Sequence, residues 1–560
     1  MRRRSEALQG LGKAGRVLLK GIKIPSTGGD LGVELPGSPA EPVFGPEARD
    51  DIQGNIVPGF NKDHQHFLFL RIGNVKAAKA WLRSLAPRIA SMDEVLAFVK
   101  AHRALRLKLG VREPGLKATW INVAFSHGAI ARLAGKEEAD AFGELSFRQG
   151  LAERSTYLGD PVDPTARGHR RNWVVGGPKN EADILVIVAS DDPADLVATV
   201  DALKEEAARA RLALLFEQRG DTLPDPLGGH EHFGFRDGIS QPGIRGKVSP
   251  APGDFVTPRF MAADDPHADI YAKPGQLLVW PGQFLLGEPR QNTESMTAPA
   301  PPATNFPKWA RRGSYVVCRR LLQDVPSFWE FVADAAAAVG LPELRVASML
   351  VGRWPSGAPV MRVPDADDPA LAGDEFANNQ FVFDDETRPS SLRPIRDYPG
   401  DTHPVARGDV LGVVCPHFAH IRKVNPRDSA TDLGKPADGL LRMILRRGIP
   451  FGPPVAGVKK PPPKLLAQER GLMFLCYAGT IEDQFEFLTR RWLNSPIQPN
   501  LGGHDPVVGQ EGREPRLRFV DFPGPKGPVR IDIKQEWVTV TGGGYFFAPP
   551  IAAIAGVLGA

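Results

Sequence analysis

The chain has 560 residues, 42% hydrophobic and 24% charged, which is the composition of a globular protein with a large core. Its 69 basic and 65 acidic residues leave a formal net charge of only +4, so a dedicated nucleic-acid-binding protein is not expected. No run of about 18 apolar residues occurs, and we therefore expect no membrane-spanning helix. The three cysteines form no CxxC pair, which favours a reducing compartment without a disulfide framework.

The two ends of the chain differ from the rest. Residues 1–48 are rich in glycine, proline and basic side chains, and we expect a flexible basic arm there. Its start, MRRRSEALQGLGKAGRVLLKGIK, is interrupted by Gly, Lys and Arg before an apolar run of signal-peptide length develops, so we expect a cytoplasmic location. Export without a leader would leave no trace in this pattern. The apolar end FFAPPIAAIAGVLGA is expected to be a terminal strand or docking segment rather than a partner-binding tag.

Predicted strands and helices alternate after residue 48. In the first half, HFLFLRI, DILVIVAS and LALLFEQ predict strands, and NVKAAKAWLRSLAPRI and DPADLVATVDALKEEAARA predict helices. In the second half, GSYVVCRRL, DVLGVVC and GLMFLCYAG predict strands, and DVPSFWEFVADAAAAVG and TIEDQFEFLTRRWL predict helices. No GxGxxG turn opens any of these helices, which argues against a parallel dinucleotide-binding sheet.

We therefore expect an α+β fold of two ferredoxin-like halves with antiparallel sheets. The first half would span residues 49–265. The second would span residues 266–560 and carry inserted loops.

The densest group of possible metal ligands is CPHFAHIRKVNPR, Cys415 to Arg427. One interpretation is a non-haem zinc or iron site in which Cys415 and His417 combine with His230 and His232 of GGHEHFGF. Its spacing is poor, because HxxH lacks the register of HExxH on a helix. The other interpretation gives a single histidine to an iron porphyrin. The residues alone leave this choice open.

Several separated motifs occur in an order typical of one family. They are DIQGNIVPGF, GFRDGISQP, RRGSYVVCRRLLQDVPSFW, GRWPSGAPV, CPHFAHIRKVNPR, MILRRGIPFGP, GLMFLCYAG, QFEFLTRRWLNSP and TGGGYFFAPP. Together they resemble the dye-decolorising peroxidases, haem enzymes with a dimeric ferredoxin-like α+β barrel fold. The length and the inserted loops resemble the larger members. The resemblance implies one non-covalent haem b per chain, held mainly by the C-terminal half.

On one side of the haem, the resemblance makes His420 the proximal ligand of the iron. Its other ring nitrogen needs an acidic acceptor, for which Asp505 of GGHDPVVGQ is the first candidate and Glu486 the second. Arg427, at the end of HIRKVNPR, is expected to pair with a haem propionate. His417 has no role in the family pattern.

On the opposite side, the resemblance places Asp237 as acid and base for peroxide, and Arg446 as the group that stabilises developing charge. By itself, the Asp-Gly of GFRDGISQP predicts only an Asx-turn. Arg447, next to Arg446, is equally available on composition alone, and only the family register selects Arg446.

Five further residues are expected at the haem surface. Two glycines would let the backbone approach the porphyrin closely, and three apolar side chains would form its wall, with ordinary core packing as the alternative for these three. They are Gly234, Gly238, Ile239, Leu472 and Phe474.

The implied function is a peroxidase that uses hydrogen peroxide to oxidise phenolic or dye-like donors through an oxyferryl intermediate. Bulky donors would need an electron relay to a surface aromatic residue, for which Trp354 and Tyr398 are candidates. Two alternatives stay open. One is a haem-binding cargo protein with incidental peroxidase activity, packaged through its apolar tail; the other is the non-haem metal protein. A homo-oligomer is compatible with each.

Overall fold

The computed structural model describes residues 41–110, 115–261, 268–295, 297–384, 401–455, 462–513 and 517–560. The strands in chain order are β1 His64–Ile72, β2 Thr119–Phe125, β3 Ile184–Ser190, β4 Leu212–Asp221, β5 Gly243–Ile244, β6 Tyr271–Lys273, β7 Gln276–Val279, β8 Ser314–Gln323, β9 Leu445–Arg446, β10 Ile449–Phe451, β11 Gly471–Ala478, β12 Arg518–Phe522, β13 Val529–Ile533 and β14 Val538–Ala548.

The helices lie mostly between these strands. The α-helices are Pro46–Asp51, Val75–Leu85, Met92–Leu109, His127–Leu133, Lys136–Asp140, Leu145–Gln149, Leu151–Arg154, Pro193–Arg209, Val325–Val339, Glu343–Val351, Pro369–Gly373, His420–Val424, Pro463–Leu466 and Ile551–Gly556. The segment predicted as a helix after β11 is wound as two π-helical stretches, Ile481–Glu486 and Leu488–Leu493. No helix within the described ranges combines the length and apolarity needed to cross a membrane.

Nine strands form one antiparallel sheet in the order β10-β11-β8-β14-β2-β3-β1-β4, with β9 also paired to β11. Gly220 of β4 approaches β10 so closely that a Cβ there would lie 2.5 Å from a methyl carbon of Ile449. The two edges of the sheet therefore meet, and the sheet curls into a barrel.

The sheet contains two equivalent units, one of β1 to β4 and the other of β8 to β11 with β14. In each unit the first and third strands lie in the centre, β1 and β3 in one and β8 and β11 in the other. This is the arrangement of a ferredoxin-like βαββαβ unit. The units join where Phe547 of β14 pairs with Phe125 of β2. The predicted α+β fold with two ferredoxin-like halves and antiparallel sheets is confirmed.

Both faces of the sheet are buried where β1 crosses it. Along β1, Phe67 and Phe69 belong to one hydrophobic cluster, whereas Leu68 and Leu70 belong to another. This explains why HFLFLRI is continuously apolar rather than alternating, since neither side of the strand faces water.

The strand predicted at DVLGVVC is wrong. The Asp409 carboxylate accepts hydrogen bonds from the backbone N–H groups of Val413, Val414 and Cys415, which folds the segment into a turn. Leu411, in the same segment, is 81% exposed. The apolar run therefore lies on the surface instead of entering the sheet.

Part of the predicted N-terminal arm is folded, while its residues 1–40 lie outside the described residues. Glu41 is buried, and its carboxylate accepts hydrogen bonds from Arg245 at 3.2 Å and Arg259 at 2.8 Å. The helix Pro46–Asp51 follows it. The boundary predicted at residue 48 is therefore too late.

The predicted boundary at residue 265 falls between strands of one small sheet, β5-β7-β6, and the limits of the two halves stay a prediction. The carboxyl-terminal tail docks on its own chain. Ile554 and Leu558 are fully buried, and Arg83 donates a hydrogen bond to the carbonyl of Gly559.

Candidate active site

The centre of the candidate site is a histidine paired with a buried carboxylate. Nδ1 of His420 lies 2.7 Å from Oδ2 of Asp505, and Asp505 is fully buried. Its Oδ1 accepts hydrogen bonds from the backbone N–H groups of Val507 at 2.9 Å and Val508 at 2.7 Å. The carboxylate is thus held in place by its own loop, and it favours the tautomer with a proton on Nδ1.

The charges of His420 and Asp505 shift each other's pKa in opposite directions. Burial by itself would lower the pKa of His420, but the charge and hydrogen bond of Asp505 raise it overall. Burial by itself would raise the pKa of Asp505, but the charge and hydrogen bond of His420 hold it below its usual value. Among the described residues, hydrogen bonding of this imidazole is confined to Nδ1, so Nε2 is available to a ligand.

Glu486, the second candidate for this partner, lies in a different cluster. Its carboxylate accepts hydrogen bonds from the hydroxyls of Ser146 at 2.8 Å and Tyr545 at 2.9 Å, and it pairs with the Arg154 guanidinium. The structure therefore brings Asp505, not Glu486, to His420.

Asp237 and Arg446 form the second pair of the site. Nη1 of Arg446 donates to Oδ1 of Asp237 at 2.6 Å, and Nη2 donates to the carbonyl of Ser240 at 3.1 Å. Burial by itself would raise the pKa of Asp237, but the charge and hydrogen bond of Arg446 lower it overall. Both members also act on the pKa of His420, which Arg446 lowers and Asp237 raises. The four charged side chains therefore form one electrostatic unit.

The turn that presents Asp237 is the one expected from its Asp-Gly sequence. The backbone N–H of Gly238 donates to Oδ1 of Asp237 at 2.6 Å. Gly234 and Gly238 have φ values of +99° and +80°, which favour glycine. A Cβ at Gly238 would meet no atom within 4 Å, so backbone conformation rather than crowding by protein atoms requires glycine there. The turn and the pairing with Arg446 coexist.

A carboxylate that sequence reasoning missed organises this turn. Glu231 accepts hydrogen bonds from the backbone N–H groups of Phe233 at 2.9 Å and Phe235 at 3.0 Å, and from the amide of Gln323 at 2.5 Å. Burial raises the pKa of Glu231 to about 7. Glu231 stands between His230 and His232 in GGHEHFGF, a motif that we interpreted from its sequence only as possible metal ligands.

The two adjacent arginines have different partners. Arg447 donates to the backbone carbonyls of Asn55, Ile56 and Pro58, which belong to DIQGNIVPGF. Arg446 faces Asp237, and a second residue missed from sequence, Gln241, fixes its backbone. The side-chain oxygen of Gln241 accepts from the N–H of Arg446 at 3.3 Å, and its amide donates to the carbonyl of Arg446 at 3.2 Å.

One face of the central strands offers an apolar wall. Leu472 and Phe474 of β11 are half-buried, whereas the alternating Met473 and Leu475 are fully buried on the other face. Leu321 of β8, opposite Leu472, is also half-buried. Arg446 pairs with Cys476, which shares the face of Leu472 and Phe474, so the wall and the charged pair lie on the same side of the sheet.

The other predicted wall residue, Ile239, lies on the turn that carries Asp237. It is half-buried, and a Cβ added to Gly357 would come within 2.4 Å of its Cδ1. Phe474 also packs against Phe485, with ring centroids 5.9 Å apart, so core packing accounts for part of its environment. Half-buried apolar side chains beside an imidazole with a free Nε2 fit a flat apolar group that carries a metal, such as an iron porphyrin.

Arg427 lies in a buried cationic cluster. Its guanidinium donates to Oδ1 of Asn379 at 2.6 Å and lies 3.7 Å from the ring centroid of Phe381. Arg353 donates to the same Asn379 oxygen at 3.1 Å. Burial is the main cause that lowers the pKa of Arg353 to about 9 and that of Arg427 to about 10. In the described part of the chain neither guanidinium forms a direct ion pair with a carboxylate, and the charge of Asp428 only partly opposes the lowered pKa of Arg427. This excess of positive charge suits an anionic ligand. Contact between Arg427 and a propionate stays a prediction.

The residues of the non-haem metal interpretation have other partners. Nε2 of His232 lies 2.9 Å from the carbonyl oxygen of Phe451, and Nδ1 of His230 lies 3.1 Å from that of Gly228. Burial raises the pKa of the Cys415 thiol to about 12 and lowers that of His417 to about 4. No group of three or more His, Cys, Asp or Glu side chains able to hold a metal occurs within the described ranges.

Trp354, one of the two relay candidates, is buried, and its Nε1 donates to the carbonyl of Val363 at 2.7 Å. It is therefore not a surface residue. Tyr398 lies outside the described residues.

Comparison with known proteins agrees with the barrel fold. Residues 51–221 match the family described as the DyP dimeric alpha+beta barrel domain. The chain is 30% identical over 524 residues to a dye-decolorizing peroxidase of Exidia glandulosa, and 31% identical over 526 residues to the dye-decolorizing peroxidase AauDyP1 of Auricularia auricula-judae. Each alignment covers 91% of this chain and 87% of the relative.

A solved structure of an ancestral D-type dye-decolorizing peroxidase superimposes with a TM-score of 0.69 at 30% identity, covering 91% of this chain and 99% of that one. The fold thus defines a protein of the dimeric α+β barrel class. This chain belongs to the dye-decolorising peroxidase family, whose members are haem-dependent, and it is a peroxidase. The predicted family is confirmed.

Proposed function

We propose that this chain binds one haem b non-covalently through His420 and uses hydrogen peroxide to oxidise phenolic or dye-like donors. The observation that carries the proposal is the electrostatic unit formed by His420–Asp505 and Asp237–Arg446 beside a half-buried apolar wall. One structural relative, 29% identical, is a dye-decolorizing peroxidase whose heme pocket was engineered for asymmetric sulfoxidation. Another, AauDyP, also 29% identical, was solved in complex with imidazole.

On the proximal side, Asp505 orients the imidazole and increases its electron donation. The short contact at Nδ1 gives His420 partial anionic character and directs Nε2 towards the ligand position. Bound haem would supply the redox chemistry, taking two oxidising equivalents from peroxide and passing them singly to donors.

On the distal side, Asp237 would take the proton from the near oxygen of peroxide and return it to the far oxygen. Its lowered pKa keeps it ionised, and therefore able to accept this proton, under acidic conditions. Arg446 would hold the carboxylate in place and stabilise the negative charge that develops on the departing oxygen.

Packaging through the carboxyl-terminal tail is not favoured. The tail side chains Ile554 and Leu558 are buried against the protein's own core, and a segment used in this way does not serve as a free tag. A cytoplasmic location and a homo-oligomeric state stay proposals based on the sequence.

An absorption spectrum tests haem binding directly. We expect a Soret band and a ferric charge-transfer band from the wild-type protein reconstituted with haem. We expect His420→Ala to lose haem or the spectrum of a histidine ligand. His417→Ala is the matched control, because this neighbouring histidine has no part in the proposed site, and it should retain the wild-type spectrum. An unchanged spectrum in His420→Ala would remove this residue as the ligand.

A further inference from the structure

The helix that begins at His420 carries a buried lysine with an unusual set of partners. Lys423 is fully buried, and its ammonium donates hydrogen bonds to the backbone carbonyls of Ser495 at 2.7 Å, Gln498 at 2.7 Å and Gly503 at 2.8 Å. An ammonium has three N–H donors, and all three are used here. Lys423 thus behaves as a tethered cation inside a cage of carbonyl oxygens.

All three carbonyls belong to one loop, residues 495–503, and the loop leads directly to Asp505. The backbone N–H of Gly503 donates to the carbonyl of Pro496 at 3.0 Å, and the N–H of Asp505 donates to that of Leu493 at 2.9 Å. The carbonyl of Gly503, two residues before Asp505, is fixed by Lys423. The ammonium therefore connects the helix that carries His420 to the segment that carries its carboxylate partner.

This cage is built at an energetic cost, which points to a specific role. Burial lowers the pKa of Lys423, the charge of Asp505 acts in the opposite direction, and the three carbonyl acceptors favour the protonated form with three N–H donors. An apolar side chain at this position would avoid desolvating an ammonium, but it would leave three carbonyls without donors. Residues 494–513 contain no helix or strand, so individual hydrogen bonds such as those from Lys423 hold the loop in shape.

We propose that Lys423 is a positioning residue that sets the hydrogen bond between His420 and Asp505. It acts through the loop 495–503, whose carbonyls it gathers, and not by touching the imidazole. Together the direct contact at Nδ1 and the lysine cage hold the helix and the loop at two points. The consequence for iron rests on the proposed ligation of haem by His420.

Lys423 could act on bound iron in two ways, and these predict opposite changes in the midpoint potential, which makes the proposal testable. If Lys423 positions Asp505, its loss weakens the hydrogen bond to His420, the imidazole donates less to ferric iron, and the midpoint potential rises. If Lys423 acts only through its positive charge, its loss strengthens the carboxylate as an acceptor and removes a cation near iron. Both changes then lower the potential.

The experiment compares Lys423→Met with Lys435→Met, a matched change at a lysine whose side chain is 58% exposed. In the haem-free protein, we expect Lys423→Met to speed hydrogen exchange of amides in residues 495–503 at least tenfold, and the control to leave it unchanged. In the haem-loaded protein, we expect Lys423→Met to raise the midpoint potential. A tenfold change in the relative stability of the ferric and ferrous states corresponds to a shift of about 59 mV. Haem affinity should fall about 10- to 100-fold.

A double variant identifies the route of the effect. In an Asp505→Asn background, Lys423→Met should leave the potential nearly unchanged, because the hydrogen bond that Lys423 positions is already lost. A lowered potential in Lys423→Met, or an equal rise in the Asp505→Asn background, would overturn the proposal. So would unchanged exchange in residues 495–503.

Lys423→Arg keeps the charge, but its planar guanidinium cannot reproduce three donors in a tetrahedral arrangement. We expect a smaller change in the same direction. If neither variant folds, Lys423 stabilises the whole fold and the specific role is refuted. The exchange measurement needs no haem, so absence of a Soret band in the wild type would contradict the proposed function while leaving the loop test valid.

Discussion

Replacing Asp237 by Asn separates catalysis from stability. The side chains of its ion pair are 43% exposed at Asp237 and 30% exposed at Arg446, so solvent screens the pair and its contribution to folding is at most about 1 kcal/mol. The carboxylate as an acid and base is worth about 10²- to 10⁴-fold in rate, equivalent to about 3 to 5 kcal/mol in the barrier. We therefore expect a large loss of rate with a small loss of stability.

Stopped-flow absorption at the Soret band, with excess peroxide, measures the first quantity, and urea unfolding measures the second. Asp521→Asn is the matched control, because Asp521 also pairs with an arginine, Arg530 at 2.8 Å, but lies on the separate hairpin β12–β13. It should leave the reaction with peroxide unchanged. If Asp237→Asn reacts with peroxide at the wild-type rate while retaining haem, the assignment of Asp237 as acid and base is refuted.

Three further outcomes follow from the contacts of the site and the tail. Arg446→Leu should shift the acidic limb of the peroxide reaction to higher pH, because the charge and hydrogen bond of Arg446, which hold the pKa of Asp237 down, are lost; an unmoved limb in stopped-flow rates contradicts this. The folded protein holds the Glu231 proton more tightly than the unfolded chain does, so the wild type should lose up to about 3 kcal/mol of stability as the pH rises from 4.5 to 7. Glu231→Gln has no proton to lose there, and its stability should not show this decrease. Urea unfolding at pH 5 and pH 8 tests this, and equal pH dependence of both proteins would contradict it. Deleting residues 551–560 should destabilise the protein by about 3 to 6 kcal/mol through loss of the buried Ile554 and Leu558, and an unchanged urea midpoint would show that the tail is dispensable.

The architecture was predictable because its strands are long apolar runs with helices between them. HFLFLRI and GLMFLCYAG became β1 and β11 almost as expected, and the acidic Asp324 caps the following helix by accepting a hydrogen bond from Ser327 N–H. DVLGVVC was not predictable in the same way. Its composition suits a strand, but the Asp409 side chain offers its backbone N–H groups a local partner, and that competition is not visible in hydrophobicity.

The candidate site was predictable only in part, for a related reason. Family motifs selected Asp237, His420 and Arg446, and the structure gives each a partner of complementary charge. Gln241 and Lys423 carried no comparable signal, because each acts on backbone groups of a segment that is distant in the sequence. A side chain whose partners are main-chain atoms leaves no complementary residue type to find in the sequence.

The adjacent arginines show most clearly what the fold adds. Arg446 and Arg447 are chemically identical, but Arg446 is the last residue of β9 and Arg447 lies just beyond the strand. Gln241 holds the backbone of Arg446 in β9, so its side chain lies towards Asp237 while that of Arg447 reaches the carbonyls of Asn55 and Pro58. A slip of one residue in this register would turn the Arg446 side chain to the opposite face of the sheet and away from Asp237. The distal chemistry proposed for Arg446 therefore depends on a backbone register that Gln241, from the turn that carries Asp237, maintains.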